Sequence, residues 1–590
     1  MHRTFQILLF CLLTTVLGCQ FPPQPERKPN VLVILTDDQG WGDLGIHGNQ
    51  HIHTPHLDAL ARSGTRFDRF YVSPVCAPTR AAFLTGRYPQ KTGVYGVQNG
   101  EEFMNLEETT IADVFQQAGY RTGAFGKWHN GSQYPYHPNG RGFNEFYGYC
   151  SGHWANYFDT WLEHNGQPVK SQGFMTDDLT DHAMQFMEQH REEPFFCYVP
   201  FNTPHSPYQV PDSFYQAVRN RKIEQFYRDS TREELPKTIA ALAMCENIDW
   251  NVGRLLNKLA ELDLEEETIV VFFSDNGPNS WRWNGGMRDR KAGVHEGGVR
   301  VPCIIRWPGK IAANHVTRQL GAHFDLLPTL AALAGISAQT RFPVDGQSLS
   351  AVLLDRDAQV VDRTIYSQWR EKLALRTAQY TATSQGLFDL TQDPGETHNL
   401  KDSLPELHAS LVRQLEDFRQ MAASHIPSER FLPVGHADRA ITHLPVQDAL
   451  FEGAGLTYSC RWPNSAWMTN WDQVDDYPYW KVDILNEGIY DVEIEYTCSE
   501  ANVGAEIVLE LGEFTCRGKI DTAFDPELIP SPDRVPREES YEKPFKTLKL
   551  GEIHLPRGAG KLSLRALAKP GDQVMDLRSI TLIRQQSPTP

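Results

Sequence analysis

Cys76 stands where the sequence predicts the start of a helix. Pro78 lies two residues further on, the run from Arg80 to Leu84 suits a helix, and Gly86 lies just beyond it. Proline is favoured in the first turn of a helix and glycine just past its end. Free backbone amides at a helix N-terminus favour an anion and lower the pKa of a thiol. The pattern therefore predicts a reactive cysteine, with a merely buried cysteine as the alternative.

Oxygen-bearing side chains follow two apolar runs of strand length. Asp37 and Asp38 come directly after one run, and Asp275 and Asn276 follow another. Carboxylate and amide oxygens select hard cations, and several carboxylates together suit calcium better than zinc. The alternative for Asp37 and Asp38 is a loop or a helix cap. Together the four residues favour a metal site.

The elements that must position these side chains are strands and helices in alternation. The predicted strands are Val31 to Leu35, Thr122 to Phe125, Phe195 to Pro200 and Ile269 to Phe273. Such continuous apolar runs are typical of strands buried on both faces of a parallel sheet. Helical spacing follows Thr110 and recurs from Ile248 to Leu259, so the pattern predicts an α/β domain. In such sheets ligands bind beyond the carboxyl ends of the strands. These ends are followed by Lys127 and His129, by Asn202 and His205, and by the two acidic pairs.

Composition limits the classes of partner. The chain has 590 residues and a formal net charge of −18. An acidic protein of this kind lacks the excess of Lys and Arg that binds nucleic acid, so no nucleic-acid partner is expected. Its length predicts a large domain with at least one smaller one.

The N-terminus reads as an export signal. His2 and Arg3 precede an apolar stretch from Ile7 to Leu17, which is too short to favour a membrane span of about 20 residues. We expect a signal peptide over residues 1–18, a polar, Pro-rich tether over 19–29, and a mature protein that is periplasmic, membrane-anchored as a lipoprotein, or extracellular. The residues around Cys19 resemble a bacterial lipobox, so a lipid anchor on Cys19 is one of these alternatives.

Several motifs in the same order resemble the type I, formylglycine-dependent sulfatase family, which is arylsulfatase A-like and belongs to the alkaline phosphatase superfamily. The matching segments run from about Pro29 to Leu400 and are Asp37-Asp38-Gln39-Gly40, Cys76-Ala77-Pro78-Thr79-Arg80 with Leu84-Thr85-Gly86-Arg87, Gly126-Lys127-Trp128-His129, Gly142 to Gly148, Thr203-Pro204-His205, Ser274-Asp275-Asn276-Gly277, Lys291 with Glu296-Gly297-Gly298, and Leu387-Phe388-Asp389-Leu390. One such motif alone is weak, whereas the ordered set is specific.

The resemblance implies that Cys76 is oxidised to formylglycine (3-oxoalanine) by a formylglycine-generating or other maturing enzyme. A hydrated aldehyde carries two hydroxyls, of which one attacks sulfur and the other then expels sulfate and restores the aldehyde. The enzyme implied is a sulfuric ester hydrolase. The expected export, together with a C-terminal region that resembles a carbohydrate-binding module, favours a sulfated carbohydrate as substrate over a small aryl sulfate.

The family positions also imply roles for the cationic residues. Arg80 and Lys127 would hold the hydrated nucleophile, and His129 would take the proton that triggers elimination. His205 and Lys291 would grip the sulfate and assist the leaving group. Outside such motifs a lone His or Lys is more often structural or solvated. His137, His153 and His295 resemble loop residues with possible substrate contact and are left out of the catalytic set.

By the same resemblance, Asp37, Asp38, Asp275 and Asn276 bind Ca2+, which also contacts the formylglycine formed from Cys76 and the sulfate. Asp275 would act as the base for the attacking hydroxyl. Trp281 and Trp283 follow these ligands in the chain. They either stack on a sugar ring or pack within the protein.

The fold implied is an alkaline-phosphatase-like α/β sandwich with a central, mostly parallel sheet over residues 30–423, including a smaller C-terminal sheet subdomain from about 315. From Trp480 onward, alternating strands predict an additional all-β sandwich over residues 440–590. A dense aromatic group there either binds glycan or packs in a core, and consists of Trp467, Trp471, Tyr477, Tyr479 and Trp480. The sandwich resembles a carbohydrate-binding module.

The remaining cysteines show no metal-binding spacing. Cys150, Cys197, Cys245 and Cys303 are expected to be buried, apart from an occasional bridge, and Cys460, Cys498 and Cys516 could include one disulfide because export permits it.

Two other functions fit parts of the sequence. A phosphodiesterase or phosphonate hydrolase could share the fold, since phosphate and sulfate esters have similar geometry. A non-catalytic glycan-binding protein is the second alternative, and the full set of metal and cationic residues argues against it.

Overall fold

A computed structural model describes residues 27–585. The expected signal peptide, Cys19 and most of the expected tether lie outside the described residues. Within residues 27–585, no helix combines the length and apolar character that crossing a membrane requires.

The first part of the chain alternates strands and helices. Its strands are β1 (Asn30–Thr36), β2 (Thr65–Phe67), β3 (Phe70–Tyr71), β4 (Arg121–Lys127), β5 (Glu145–Tyr149), β6 (Trp161–His164), β7 (Gln167–Lys170), β8 (Phe195–Pro200), β9 (Thr268–Ser274), β10 (Arg300–Val301), β11 (Cys303–Arg306), β12 (His315–Thr317) and β13 (Gly321–Ala322). The helices of the described chain are α1 (Pro55–Ser63), α2 (Cys76–Thr85), α3 (Ile111–Gln117), α4 (Met175–Gln189), α5 (Asp212–Arg219), α6 (Leu235–Glu261), α7 (Glu296–Val299), α8 (Leu326–Leu333), α9 (Ser350–Leu354) and α10 (Pro405–Ala423).

A ten-stranded sheet forms the centre of this part, in the order β12-β2-β11-β9-β1-β8-β4-β5-β6-β7. The neighbours β9, β1, β8, β4 and β5 are all parallel. Alternate residues of β1 enter opposite cores: Leu32 and Ile34 pack on one face, and Val31, Val33 and Leu35 on the other. This period of two, with both faces covered, confirms the predicted α/β architecture.

The helices around the sheet start and end where local signals predicted. Thr110 caps α3 through a reciprocal capping box with Asp113. Gly86 follows α2 with a φ of 69°, a left-handed conformation that glycine adopts without strain. The stripe from Ile248 to Leu259 is the buried face of α6.

A smaller antiparallel sheet follows. It consists of β14 (Ile365–Trp369), β15 (Lys372–Arg376), β16 (Tyr380–Thr383) and β17 (Gly386–Asp389), paired in chain order. Leu375 and Leu387 of this sheet pack on Leu411, Leu415 and Phe418 of α10, which gives the sheet its own apolar core.

The remaining strands form two facing six-stranded sheets. They are β18 (Leu432–Val434), β19 (Ile441–Pro445), β20 (Leu450–Glu452), β21 (Thr457–Tyr458), β22 (Met468–Thr469), β23 (Tyr477–Ile484), β24 (Gly488–Thr497), β25 (Glu506–Leu511), β26 (Phe514–Lys519), β27 (Lys546–Leu555), β28 (Gly558–Ala568) and β29 (Asp576–Arg584). Tyr490, Val492, Ile494 and Tyr496 alternate into the core between the sheets. The additional all-β sandwich is confirmed, whereas the predicted domain limits, 30–423 and 440–590, stay predictions.

The aromatic group of the sandwich divides between core and surface. Trp471 and Trp480 are fully buried. Tyr477 and Tyr479 lie on an outer face, where Lys561 stacks on both rings. The group is therefore not a single platform for a glycan.

The suggestion of a disulfide in the sandwich is wrong for the described chain, because Cys460, Cys498 and Cys516 are all free. Cys498 directly follows β24 and Cys516 lies in β26, and these two strands belong to different sheets. Spacing along the sequence does not reveal this.

Candidate active site

The carboxyl ends of four adjacent parallel strands carry the polar residues that the sequence singled out. Asp37 and Asp38 follow β1, Asp275 and Asn276 follow β9, and β4 ends at Lys127. His129 and His205 lie just beyond β4 and β8. Because β9, β1, β8 and β4 are consecutive in the sheet, these side chains meet at one edge.

Cys76 is the first residue of α2 and is buried. Its Sγ lies within 4.8 Å of carboxylate oxygens of Asp37 and Asp275. No side chain caps this end of the helix, so within the described chain its first amides remain directed at the site. The helix thus delivers the cysteine to the acidic cluster.

Arg80 lies one turn further along α2 and is fully buried. Its Nη2 lies 2.8 Å from Asp275 Oδ2, to which Nε also donates at 3.2 Å. Its Nη1 donates to the Lys127 carbonyl at 2.8 Å. Arg80 therefore ties α2 to the ends of β9 and β4.

Two lysines neutralise the other carboxylates. Lys127 Nζ lies 2.7 Å from Asp37 Oδ2, and Lys291 Nζ lies 2.6 Å from Asp38 Oδ1. Lys291 comes from the connection between β9 and α7, which has little regular structure. Buried charges persist only when paired, so these ion pairs let three carboxylates share one buried site.

The carboxyl groups differ in their pKa. Burial, and then the neighbouring Asp37, raise the pKa of Asp275 to about 7. Burial acts in the same direction on Asp38, but Lys291 and His205 outweigh it and hold the pKa of Asp38 well below its ordinary value. The lysines and Arg80 therefore do not fully offset the repulsion between the carboxylates of Asp37 and Asp275.

The donor set fits a hard cation. The Oδ1 atoms of Asp37 and Asn276 are buried and, in the described chain, have no hydrogen-bond partner. Asp38 and Asp275 contribute further oxygens close by. An unpartnered buried oxygen is costly, and a divalent ion would satisfy both atoms. All four expected ligands therefore lie together.

The expected low pKa of the Cys76 thiol is wrong. Burial raises the pKa of Cys76 above its ordinary value, although Lys127 and Lys291 act in the opposite direction. Loss of solvent around a buried thiolate disfavours its charged form. An unmodified Cys76 is therefore a poor nucleophile.

The two histidines border this cluster. His205 Nε2 lies 3.6 Å from Asp38 Oδ2, and its ring contacts the Ser206 carbonyl through Nδ1 at 2.5 Å. Burial, and then Lys291, lower the pKa of His205 to about 4. His129 contacts the Val97 carbonyl through Nε2 at 3.0 Å, and burial lowers the pKa of His129 well below its ordinary value.

His153, predicted only as a loop residue with possible substrate contact, lies next to these histidines. It follows β5, the next strand beyond β4, and its ring stacks on His205 with centroids 5.9 Å apart. Its Nε2 is buried and has no hydrogen-bond partner among the described residues. The rule that ligand groups follow parallel strands would have found it.

Trp281 is half-buried and lies between two arginines. The guanidinium groups of Arg232 and Arg290 stack on its ring at 5.0 and 4.9 Å from the centroid. Trp281 and His295 also line a cavity of about 760 Å³ against β15 and β16. None of the expected catalytic residues lines that cavity, so it is not the site of the cysteine.

His137, Cys150 and Glu163 form a second cluster of potential metal ligands. The Asn139 amide donates to His137 Nδ1 at 3.2 Å. His137 Nε2 lies 3.3 Å from a Glu163 carboxylate oxygen, and the Cys150 thiol donates to the same carboxylate at 3.0 Å. Two of these three contacts involve the Glu163 carboxylate, which joins the cluster together.

Comparison with known proteins agrees with this arrangement. The family described as Sulfatase matches residues 29–336, and the family described as N-sulphoglucosamine sulphohydrolase, C-terminal, matches residues 285–421. Arylsulfatase A from Homo sapiens is 31% identical over 503 residues, which cover 74% of this chain and 93% of that protein. N-acetylgalactosamine-6-sulfatase from Canis lupus familiaris is 33% identical over 413 residues, covering 64% and 74%.

Comparison with solved structures also finds a similar protein. The structure described as Ps i-CgsB in complex with k-i-k-neocarrahexaose is similar with a TM-score of 0.61 and 31% identity, covering 66% of this chain and 93% of that one. The α/β part therefore has the alkaline-phosphatase-like fold. The chain belongs to the sulfatase family and is a sulfuric ester hydrolase.

Proposed function

We propose that the protein is an exported sulfatase that removes sulfate from sulfated carbohydrates, with a formylglycine formed from Cys76 as nucleophile and Ca2+ bound by Asp37, Asp38, Asp275 and Asn276. The observation that carries the proposal is the position of Cys76, whose Sγ lies within 4.8 Å of two buried carboxylates at the tip of α2.

When present, the two groups would supply a hydroxyl nucleophile and a positive charge that polarises the sulfate oxygens. The protein's own residues orient them. Arg80 and Lys127, held by Asp275 and Asp37, each place a positive charge close enough to interact with Cys76. Preorganised cations of this kind stabilise charge as it develops in a transition state.

The remaining groups would move protons. Asp275, whose carboxylate lies within 4.8 Å of Cys76 Sγ, is placed to accept the proton of an attacking hydroxyl. His129 has a buried, unpartnered Nδ1 among the described residues, which suits a proton acceptor at the elimination step. His205 and Lys291 both approach Asp38 and would assist the leaving oxygen on the far side of the sulfate.

Export and maturation rest on the N-terminal sequence and on the chemistry of Cys76. An exported protein must meet its maturing enzyme before it folds, because Cys76 is buried once α2 is in place. Cell fractionation with detection of lipid on Cys19 tests the anchor. Recovery of unprocessed protein in the cytoplasm would contradict export.

The substrate is tested by assaying esters side by side. The panel contains N-acetylgalactosamine 6-sulfate, k-i-k-neocarrahexaose and 4-nitrocatechol sulfate, together with a phenyl phosphonate ester and a phosphate diester at equal concentrations. We expect release of sulfate from at least one sugar with a higher kcat/KM than for the aryl sulfate. Faster hydrolysis of the phosphonate or phosphate ester would refute the proposal.

A further inference from the structure

Two segments of the β-sandwich contact the loops that carry the active-site histidines. One segment is the long connection between β26 and β27, residues 520–545, and the other contains Asn464. Both lie beyond residue 421, where the match to the sulfatase families ends. They are therefore an addition of this chain to the family core.

The first segment lies along the residues that follow His205. The Ser206 hydroxyl donates to the Glu539 carboxylate, and Glu539 is 9% exposed. Gln209 donates to the Ser531 hydroxyl at 2.7 Å and to the Asp533 carboxylate at 2.9 Å. Because Ser206 is the neighbour of His205 in the chain, Glu539 restrains the backbone that carries this histidine.

The second segment lies against the loop that carries His153. Asn464 Oδ1 accepts from the Gly152 amide at 3.2 Å, and the Ser465 hydroxyl donates to the His153 carbonyl at 2.8 Å. A Cβ added at Gly152 would lie 2.5 Å from His129 Nε2 and 2.6 Å from Asn464 Nδ2. Gly152 therefore lies between the side chains of Asn464 and His129 and contacts both.

The contacts between the two parts include apolar packing. Val535 of the connection belongs to the apolar cluster beneath the ten-stranded sheet, and Phe103 and Tyr136 of the α/β part belong to the core of the sandwich. Because residues of each part pack in the core of the other, the α/β part and the sandwich are held in one arrangement. A module on a flexible tether would lack such packing.

We infer that the β-sandwich forms one wall of the substrate cleft, with Glu539 and Asn464 as positioning residues for the loops of His205 and His153. This inference rests on the proposed function and extends it. Within the described chain, the side-chain hydrogen bonds of Glu539 and Asn464 to the α/β part involve Ser206, Ser151 and Gly152 and do not involve the cysteine or its carboxylates. In the inferred arrangement the wall contacts the part of a substrate that lies beyond the sulfate, which in a saccharide is the sugar chain.

The test compares two substrates, k-i-k-neocarrahexaose and 4-nitrocatechol sulfate, in the full-length protein. We expect Glu539→Ala and Asn464→Ala each to lower kcat/KM for the saccharide at least tenfold, mainly through KM, and to lower it less for the aryl sulfate. The ratio of the two values then falls at least fivefold. Glu539→Gln keeps an acceptor for Ser206 and should stay within about threefold of wild type. The control Glu513→Gln, in the exposed turn between β25 and β26, should leave both values unchanged.

A second measurement does not depend on the folding of these variants. Hydrogen exchange in the inactive Cys76→Ala protein should slow over residues 531–540 and 462–466 when the neocarrahexaose binds, and stay constant in the turn at residues 512–513. Unaltered exchange in the first two segments, or an equal loss of activity on both substrates in folded variants, would overturn the inference. If only the inference about the wall is wrong, the wild type still hydrolyses the aryl sulfate. If the proposed function is wrong, the wild type does not hydrolyse it.

Discussion

Each buried carboxylate beside Cys76 has its own cation. Asp37 is paired with Lys127, and Asp275 is paired with Arg80, at 2.7 and 2.8 Å. In a site with little solvent such charges are preorganised, but each depends on its partner. Loss of one partner leaves an uncompensated buried charge, so substitutions here change both stability and catalysis.

Replacement of Cys76 tests the nucleophile. Cys76→Ala should lower sulfate release by at least about a thousandfold, because the remaining cations bind the ester without attacking it. Peptide mass spectrometry of wild type produced with a maturing enzyme should show the aldehyde in place of the thiol. Full activity of Cys76→Ala, or a plain thiol in active wild type, would contradict the prediction.

Addition of calcium tests the metal ligands without an activity assay. Ca2+ at about 100 times its Kd should stabilise the folded wild type by about 2.7 kcal/mol, seen as a higher thermal midpoint. Asp38→Asn should lose most of this increase because a ligand oxygen loses its charge. The exposed Asp263→Asn, in the turn after α6, should keep it. An equal response in both variants would place the ion elsewhere.

At the scale of elements, helix ends do much of the positioning. The N-terminus of α2 carries Cys76. Gly86 follows the C-terminal end of this helix and lets the chain change direction there. The capping box of α3 fixes the start of the helix that precedes β4, the strand ending at Lys127. Local capping signals therefore set where catalytic residues lie relative to the sheet.

Removal of the α3 cap should lower stability. Thr110 accepts from the Asp113 amide at 3.1 Å, and Thr110→Ala should reduce the free energy of unfolding by about 1 kcal/mol. Gln116→Ala, on the exposed side of the same helix, is the matched control and should have no measurable effect. Urea unfolding of both variants measures the difference, and equal values would show that the cap is dispensable.

At the scale of the whole molecule, the α/β part and the sandwich bury acidic groups where they meet. Gln133 donates to Asp448 at 2.9 Å across this boundary, and Glu102 lies close to the same carboxyl. Burial, and then Asp448, raise the pKa of Glu102 to about 8, while Arg430 acts in the opposite direction. Folding therefore favours the protonated form of Glu102.

The raised pKa predicts how stability depends on pH. Above its ordinary pKa, Glu102 ionises in the unfolded chain but stays protonated in the folded one, so its contribution to stability falls as the pH rises towards 8. Glu102→Gln should raise the thermal midpoint by about 2–4 °C at pH 8 and by less at pH 5. Calorimetry at both values tests this, with the exposed Glu107→Gln as control. A pH-independent shift would contradict the prediction.

The sequence by itself determined the strands, the helices and the edge at which ligands gather. Apolar runs, capping residues and glycines act over a few neighbouring residues, so β8 was predicted with its observed limits and the start of α2 to within one residue. The four expected oxygen ligands follow β1 and β9, and the ordered motifs identified the sulfatase family.

Only the tertiary structure decided what surrounds these residues. Burial from all sides reversed the expected shift in the pKa of Cys76, and His153 reached the site through a ring contact with His205. Glu539 meets Ser206 across 333 positions of the chain. Desolvation and long-range contacts depend on the packing of distant segments, and no local pattern encodes them.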